Sequence, residues 1–449
     1  MLRSFRSSLI LLLATGALSF QTGFAAPAAR PDEAISHRLG DQPSAVRSFW
    51  TESRMRRAEP IDAPELSRGG SAQVSWGSPQ VATWNPGSEP TAARRWSEET
   101  RQTGAGPIPY TRTEIADASA FPYRTNGRLF GVDGFGEPYA CSATAVSSQS
   151  RSVVMTAGHC VYLAVAGGWA QSLLFVPGYQ NGSAPYGEWP ALEVITPSAW
   201  VTLQSPSYDL AALLVSPDAE DMRLEDLVGG RGIAWNVARK LQFDAFGYPA
   251  APPFDGERLH VCDSQTGIEA VLTPKPRPTA IGCDMNEGSS GGGWIIRDTY
   301  LNGVNSFGLQ GLDDVMFGPY FGDAAAIVYQ QASASTTPGP LPAEVPPAPL
   351  VGQIHDMNLS LRLSGHLVAR GKMTVPDGYA ECARGALVGI FHRVRGGWDL
   401  AKRTHTGSNG SFGVRLRDLT GRYFAFSPEG SVDDLNVCAE VRSPADRHR

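Results

Sequence analysis

The chain of 449 residues carries 38 Lys and Arg against 44 Asp and Glu, a net charge of −6. That length exceeds one ordinary domain and allows two or three units, at least one with a sizeable core. No run of Lys and Arg is dense enough to grip a phosphate backbone, which excludes nucleic acid and anionic membrane as expected partners.

At the N-terminus Arg3 and Arg6 precede an apolar stretch from Leu9 to Phe20, and small residues follow at Gly23, Ala25, Ala26 and Ala28. This pattern predicts an export signal over residues 1–26. The apolar stretch is shorter than the ~20 residues a spanning helix needs, so no membrane span is expected once the signal is removed. The mature protein is expected outside the cytoplasm, extracellular or periplasmic. Residues 27–120 contain no cysteine, many Pro, Gly, Ser, Arg and Glu, and scattered tryptophans at 50, 76, 84 and 96. Little periodicity runs through them, which predicts a largely irregular prosegment, with a retained disordered arm as the other reading.

From residue 121 to 335 the texture changes to short β-type runs broken by Gly, Pro, Asn and Ser, such as Ala143-Thr144-Ala145-Val146 and Val153-Val154-Met155. Long helical periodicity is absent, so the fold class is all-β. Three runs in this stretch carry chemistry. Ala157-Gly158-His159-Cys160 follows a β run, Tyr208-Asp209 leads into the apolar Leu210–Val215, and Gly288-Ser289-Ser290-Gly291-Gly292 comes last. A peptide bond resists water because water is a weak nucleophile and an amine a poor leaving group. Its hydrolysis needs an activated nucleophile, a proton shuttle and a stabiliser of negative charge. Ser290 in a tight glycine turn suits the first role and His159 the second. Asp209 suits the task of holding the imidazole.

The ordered set His159, Asp209, Ser290 resembles the chymotrypsin-like (trypsin-like) serine proteases, in particular a secreted bacterial branch related to glutamyl endopeptidases; the resemblance spans roughly residues 120–335. It implies two packed six-stranded β-barrels, a protein or peptide substrate and an acyl-enzyme on Ser290. It also implies an oxyanion hole from the Gly288 and Ser290 amides. Neither cofactor nor metal is expected. Ser289 stands where digestive members carry the Asp that pairs with a newly cut N-terminus, so that activation switch is not supported. Asp284, six residues before Ser290, stands where trypsin has its pocket-floor acid, and the resemblance opens two readings: a receptor for Arg or Lys side chains, or a structural carboxylate. Ser306-Phe307-Gly308 resembles the strand that lines the pocket and pairs with the substrate backbone. Glutamate-specific relatives place a His where Asn305 stands.

Residues 336–350 hold six prolines, which predicts an extended spacer. Beyond it, residues 351–449 show β-type runs such as Leu359–Leu363 and Ala386–Phe391, with turn signals at Gly396-Gly397 and Asn409-Gly410; a small accessory β-sandwich is expected. Six cysteines in an exported chain read as disulfides with fifteen possible pairings. Locality favours Cys141 with Cys160, Cys262 with Cys283 and Cys382 with Cys438. A zinc site is disfavoured because no Cys-x-x-Cys pair exists. Two other functions remain open. An α/β-hydrolase esterase would need its Asp and His after the Ser, and an inactive protease-fold binding protein or adhesin would keep the scaffold without turnover. The sequence assigns no oligomeric state.

Overall fold

The computed structural model describes residues 32–61, 65–66, 101–104, 107–218, 220–264, 268–269, 275–335, 348–364, 367–394, 397–417 and 419–448. The expected export signal lies outside these residues, as does most of the expected spacer. Among the described residues no helix is long and apolar enough to cross a membrane.

Six antiparallel strands close on themselves. Asn126–Val132 pairs with Pro138–Val146, which pairs with Val153–Thr156 and through it with Ala211–Val215. Trp189–Pro197 and Gln171–Pro177 complete the circuit back to Asn126–Val132. The circuit is closed by a short pairing of Leu174 and Phe175 with Pro190 and Trp189, and the interior is filled by residues such as Leu129, Val154, Leu174 and Leu213, all fully buried. Val, Ile and Leu at these positions make the strands; the turn chemistry between them decides where His159 and Asp209 emerge.

The following half is built differently. One sheet runs in the order Gly232–Trp235, Tyr300–Val304, Gly293–Ile296, Phe243–Gly247, His260–Ser264, Tyr110–Glu114 and Arg101–Gly104. A second contains Ile268–Glu269, Thr279–Gly282, Leu312–Gly318 and Phe307–Leu309. The Cys262–Cys283 disulfide joins the two, and the Gly282 amide donates across the gap to Ser264 Oγ at 3.1 Å. Among the described residues no strand pairing closes them into a second barrel. The sheet also takes in Tyr110–Glu114, upstream of the boundary at 121 read from composition. The short mixed polar run there carries too little β signal by itself, and its pairing is supplied by His260–Ser264. Helix Asp323–Ala334 returns to the closed barrel, burying Ala325, Val328 and Ala332 in the same core.

Two flanking regions differ from each other. On the N-terminal side, β1 (Ala34–Arg38) adds antiparallel to Glu193–Pro197, followed by α1 (Pro43–Phe49), α2 (Glu52–Arg57) and β2 (Glu59–Pro60). Val46, Trp50, Met55 and Ala58 enter the barrel's own core, and Trp50 Nε1 donates to the Ser172 carbonyl at 2.6 Å. This part of the expected prosegment is thus regular, because a few buried apolar anchors suffice when a core already exists to receive them. On the C-terminal side, the β-rich region from 351 has a separate core of Leu367, Ala369, Met373, Val388, Ile390 and Ala425. It carries the Cys382–Cys438 bond and meets the rest through a two-residue parallel pairing of Leu350–Val351 with Ala234–Trp235, a hydrogen bond from the Ala238 amide to the Asp434 carbonyl, and the ion pairs Arg239–Glu429, Lys275–Glu440 and Arg297–Asp434.

Candidate active site

His159 sits in a one-turn 3₁₀ helix, Gly158–Cys160, immediately after barrel strand Val153–Thr156. Gly158 is required there: a Cβ would lie 2.7 Å from the Trp200 ring. The turn is tied from behind by the Cys141–Cys160 disulfide. Asp209 closes the 3₁₀ turn Pro206–Tyr208 and precedes barrel strand Ala211–Val215. That neighbouring strand brings its carboxylate under the imidazole. The His159 backbone N–H donates to Oδ1 at 2.7 Å, and Nδ1 lies 2.8 Å from Oδ2. Ser306 Oγ donates a third bond to Oδ2. With both residues about 1% exposed, these donors balance a carboxylate that burial alone would penalise. Nδ1 therefore carries the ring proton toward Asp209, and Nε2 is left as a buried acceptor with no hydrogen-bond partner among the described residues.

Ser290 is positioned by backbone shape. Gly288 and Gly291 have φ of +88° and +81°, a region that side-chain-bearing residues avoid. A Cβ on Gly291 would lie 2.0 Å from Thr156 Oγ1 and 2.9 Å from the Ala157 amide, which sets the serine turn directly against the strand end that carries His159. The turn is laced by Gly291 N–H to the Asn305 carbonyl (2.8 Å), Asn305 N–H to the Gly292 carbonyl (2.9 Å) and Ser142 N–H to the Ser290 carbonyl (2.7 Å). Among the described residues the amides of Gly288 and Ser290 donate to no protein acceptor.

The other sequence-predicted residues divide. Ser306, expected in a pocket wall, spends its hydroxyl on Asp209. Phe307 stacks on Phe317 in a small separate core, with ring centroids 5.1 Å apart. Gly308 lies in the strand Phe307–Leu309, between Leu312–Gly318 and Glu65–Leu66. Asp284 does not face an open pocket unaccompanied: Arg112 Nε donates to both its oxygens, at 2.8 and 3.0 Å. The same guanidinium lies over Phe254 and 3.4 Å from His260 Nδ1. Burial, with Arg112 adding to it, pushes His260 from the ordinary 6.5 down to about 4. Asn305 is filled as well. Its Nδ2 donates to the Phe246 and Ser289 carbonyls, and its Oδ1 accepts from Trp294 Nε1.

Sequence reasoning missed Arg112, the brace made by Asn305, and the Ser142 and Thr156 contacts behind the serine turn. The only available signal was an Asn-Ser pair preceding Phe307-Gly308. The three disulfides pair the cysteines that locality favoured. Ligand atoms of Cys141, His159 and Cys160 lie within 4.8 Å of one another, the one such group among the described residues, but both sulfurs are bonded in the disulfide. No thiolate is left to bind zinc there.

No family model matches the chain. It is 31% identical over 103 residues to the extracellular metalloprotease of Bacillus subtilis strain 168, covering 23% of this chain and 32% of that protein. Over 105 residues it is 29% identical to the glutamyl endopeptidase of Bacillus licheniformis, covering 23% of this chain and 30% of the relative. The chain thus spans about a third of the length of these curated relatives. Among solved structures, the protease Anisep from Arthrobacter nicotinovorans is 36% identical, matched over 100% of its length and 50% of this chain, with a TM-score of 0.46.

Proposed function

Because the chain belongs to the chymotrypsin-like serine proteases, related to bacterial glutamyl endopeptidases and extracellular proteases, we propose that it is a secreted serine endopeptidase working through Ser290, His159 and Asp209. The observation that carries this reading is the buried His159–Asp209 pair, whose Nε2 is unpartnered beside the serine turn. Ser290 Oγ attacks the scissile carbonyl carbon while His159 Nε2 takes its proton. Negative charge on the carbonyl oxygen is met by the Gly288 and Ser290 amides. Collapse breaks the C–N bond, and the imidazolium returns the proton to the departing amine. Water then repeats the sequence on the acyl-enzyme.

The two joined sheets of the second half correspond in this reading to the family's second barrel. Residues 1–26 act as the export signal and the stretch 27–120 as a removable prosegment up to its last strand, Tyr110–Glu114, which stays in the sheet of the protease unit together with 121–335; 336–350 acts as a spacer and 351–449 as an accessory module. The Arg112–Asp284 pair supports a bracing role for Asp284 over a receptor for basic side chains, since an Arg or Lys entering the site would compete with a cation already bound.

A fluorophosphonate probe followed by peptide mapping tests the assignment. Labelling at Ser290 is expected in the processed protein, with loss of labelling and of caseinolysis in Ser290→Ala and retention of both in Ser289→Ala and after chelator treatment. Undiminished turnover in Ser290→Ala would end this reading.

A further inference from the structure

The N-terminal arm does more than pack on the barrel. After β2, which pairs parallel with Tyr139–Ala140, the Ile61 amide donates to the Ala140 carbonyl at 3.2 Å. That strand leads directly into Cys141, whose disulfide partner Cys160 adjoins His159. Ile61 and His159 line one small cavity together with Tyr139, Val161 and Tyr162. The arm then reappears at β3 (Glu65–Leu66), which pairs parallel with Gly308 and Leu309. The strand that holds Gly308 and Leu309, Phe307–Leu309, begins one residue after Ser306, whose hydroxyl is bound to Asp209. Two separate stretches of the arm therefore meet the site, one on the His159 side and one on the strand that follows Ser306.

A base that must receive a proton from Ser290 and pass it to a substrate amine has to be reachable. In the intact chain the His159 side chain is 0% exposed although its Nε2 has no hydrogen-bond partner among the described residues, and Ile61 lines the small cavity that His159 borders. At the same time the edge of Phe307–Leu309, a natural template for an extended peptide, is already paired. We infer that the edge of Gly308–Leu309 and the rim beside Ala140 form a binding surface for an extended polypeptide, and that in the intact chain residues 59–61 and 65–66 occupy it, holding the protease closed. The inference rests on the protease reading above.

The surface takes backbone, with a single apolar side chain at the His159 end. A segment this short would bind weakly by itself. Its grip comes from tethering: β1, the buried Trp50, and Arg47, which donates to the Glu188 and Pro217 carbonyls, fix the arm on the barrel and raise the local concentration of β2, Ile61 and β3 at this surface. Cutting the chain after Leu66 would by that logic be insufficient; the arm has to leave.

The test uses the full chain, uncut as judged by gel, and reads the second-order rate of fluorophosphonate labelling at Ser290. Ile61→Asp places a charge in the His159 cavity, and the double substitution E65P/L66P removes both amides of β3. Each should label at least ten-fold faster than the unsubstituted chain, while Glu52→Ala, on an exposed face of the arm, should label at the unsubstituted rate. Hydrogen exchange on the unsubstituted chain adds a readout that needs no variant: occupation of Ser290 by the probe should be accompanied by loss of protection at 59–61, 65–66 and 308–309. Equal labelling rates in all forms, or unchanged protection after labelling, would overturn the inference while leaving the protease reading intact. Absence of label at Ser290 in every form, the opened variants included, would overturn the protease reading and this inference with it.

Discussion

The half that carries His159 and Asp209 and the half that carries Ser290 hold their residues by different means. In the first, a closed barrel brings two side chains together and three hydrogen bonds on one buried carboxylate fix the pair. In the second, two joined sheets present a turn whose geometry lies in its backbone, in positive φ at Gly288 and Gly291 and in carbonyls and amides laced through Asn305. The lesson is that the two halves should fail differently. Deleting a polar atom should silence the first without disturbing its fold, and adding a carbon should deform the second.

The largest effect expected from this contrast is that of Asp209→Asn, which keeps the shape and loses the charge that sets the imidazole tautomer. Turnover of a peptide substrate should fall by about 10⁴-fold with little change in melting temperature. Next comes Gly291→Ala. Its Cβ would meet Thr156 Oγ1 at 2.0 Å and the Ser142 carbonyl at 2.4 Å, in a backbone region Ala resists. Activity should fall by roughly 10²-fold or more, together with a stability loss on the order of 1–3 kcal/mol, seen as a lowered denaturant midpoint. A loss of activity without loss of stability would erase the distinction between the halves.

Acid should expose the second half through His260, which lies in the strand beside Tyr110–Glu114. Its folded value of about 4 lies below the ordinary 6.5, so the unfolded chain takes up a proton that the folded chain refuses. The stabilisation by a neutral His260 is complete above about pH 6.5, declines as pH falls toward 4, and amounts to roughly 3 kcal/mol in all. Denaturant midpoints from pH 7 to 4 should show that slope, and His260→Gln should flatten it. The smallest effect is expected from Ser306→Ala. One of three donors to Asp209 is removed, which should cost about ten-fold in activity, with the His159–Asp209 contact retained and the fold intact. An effect as large as that of Asp209→Asn would assign Ser306 a larger part than a third donor.

Much of the site was legible in the chain because its chemistry is local. Gly158 before His159, the apolar run after Asp209 and the glycines around Ser290 each show in a few consecutive residues what kind of turn forms and what it exposes. Cysteine spacing within each β-rich stretch favoured the three pairs that are bonded. The contacts that were missed join residues far apart: Arg112 to Asp284 across 172 positions, Ser306 to Asp209 across 97, Trp50 to Ser172 across 122. Nothing in the neighbourhood of Arg112 marks it as the partner of a particular carboxylate. Scattered tryptophans among polar residues read as an irregular stretch until a barrel core is there to bury one.

The sequence by itself therefore determined the residue types, the β period and the turns that display His159, Asp209 and Ser290, since these depend on backbone sterics and on which side chains a few neighbouring positions can bear. Tertiary structure alone decided which carboxylate is already neutralised by an arginine, which hydroxyl steadies Asp209, and whether the edge of Gly308–Leu309 is open or covered. Those outcomes depend on burial and on distances between strands that meet only after the sheets have formed, and a charge or a hydrogen bond takes its value from that environment.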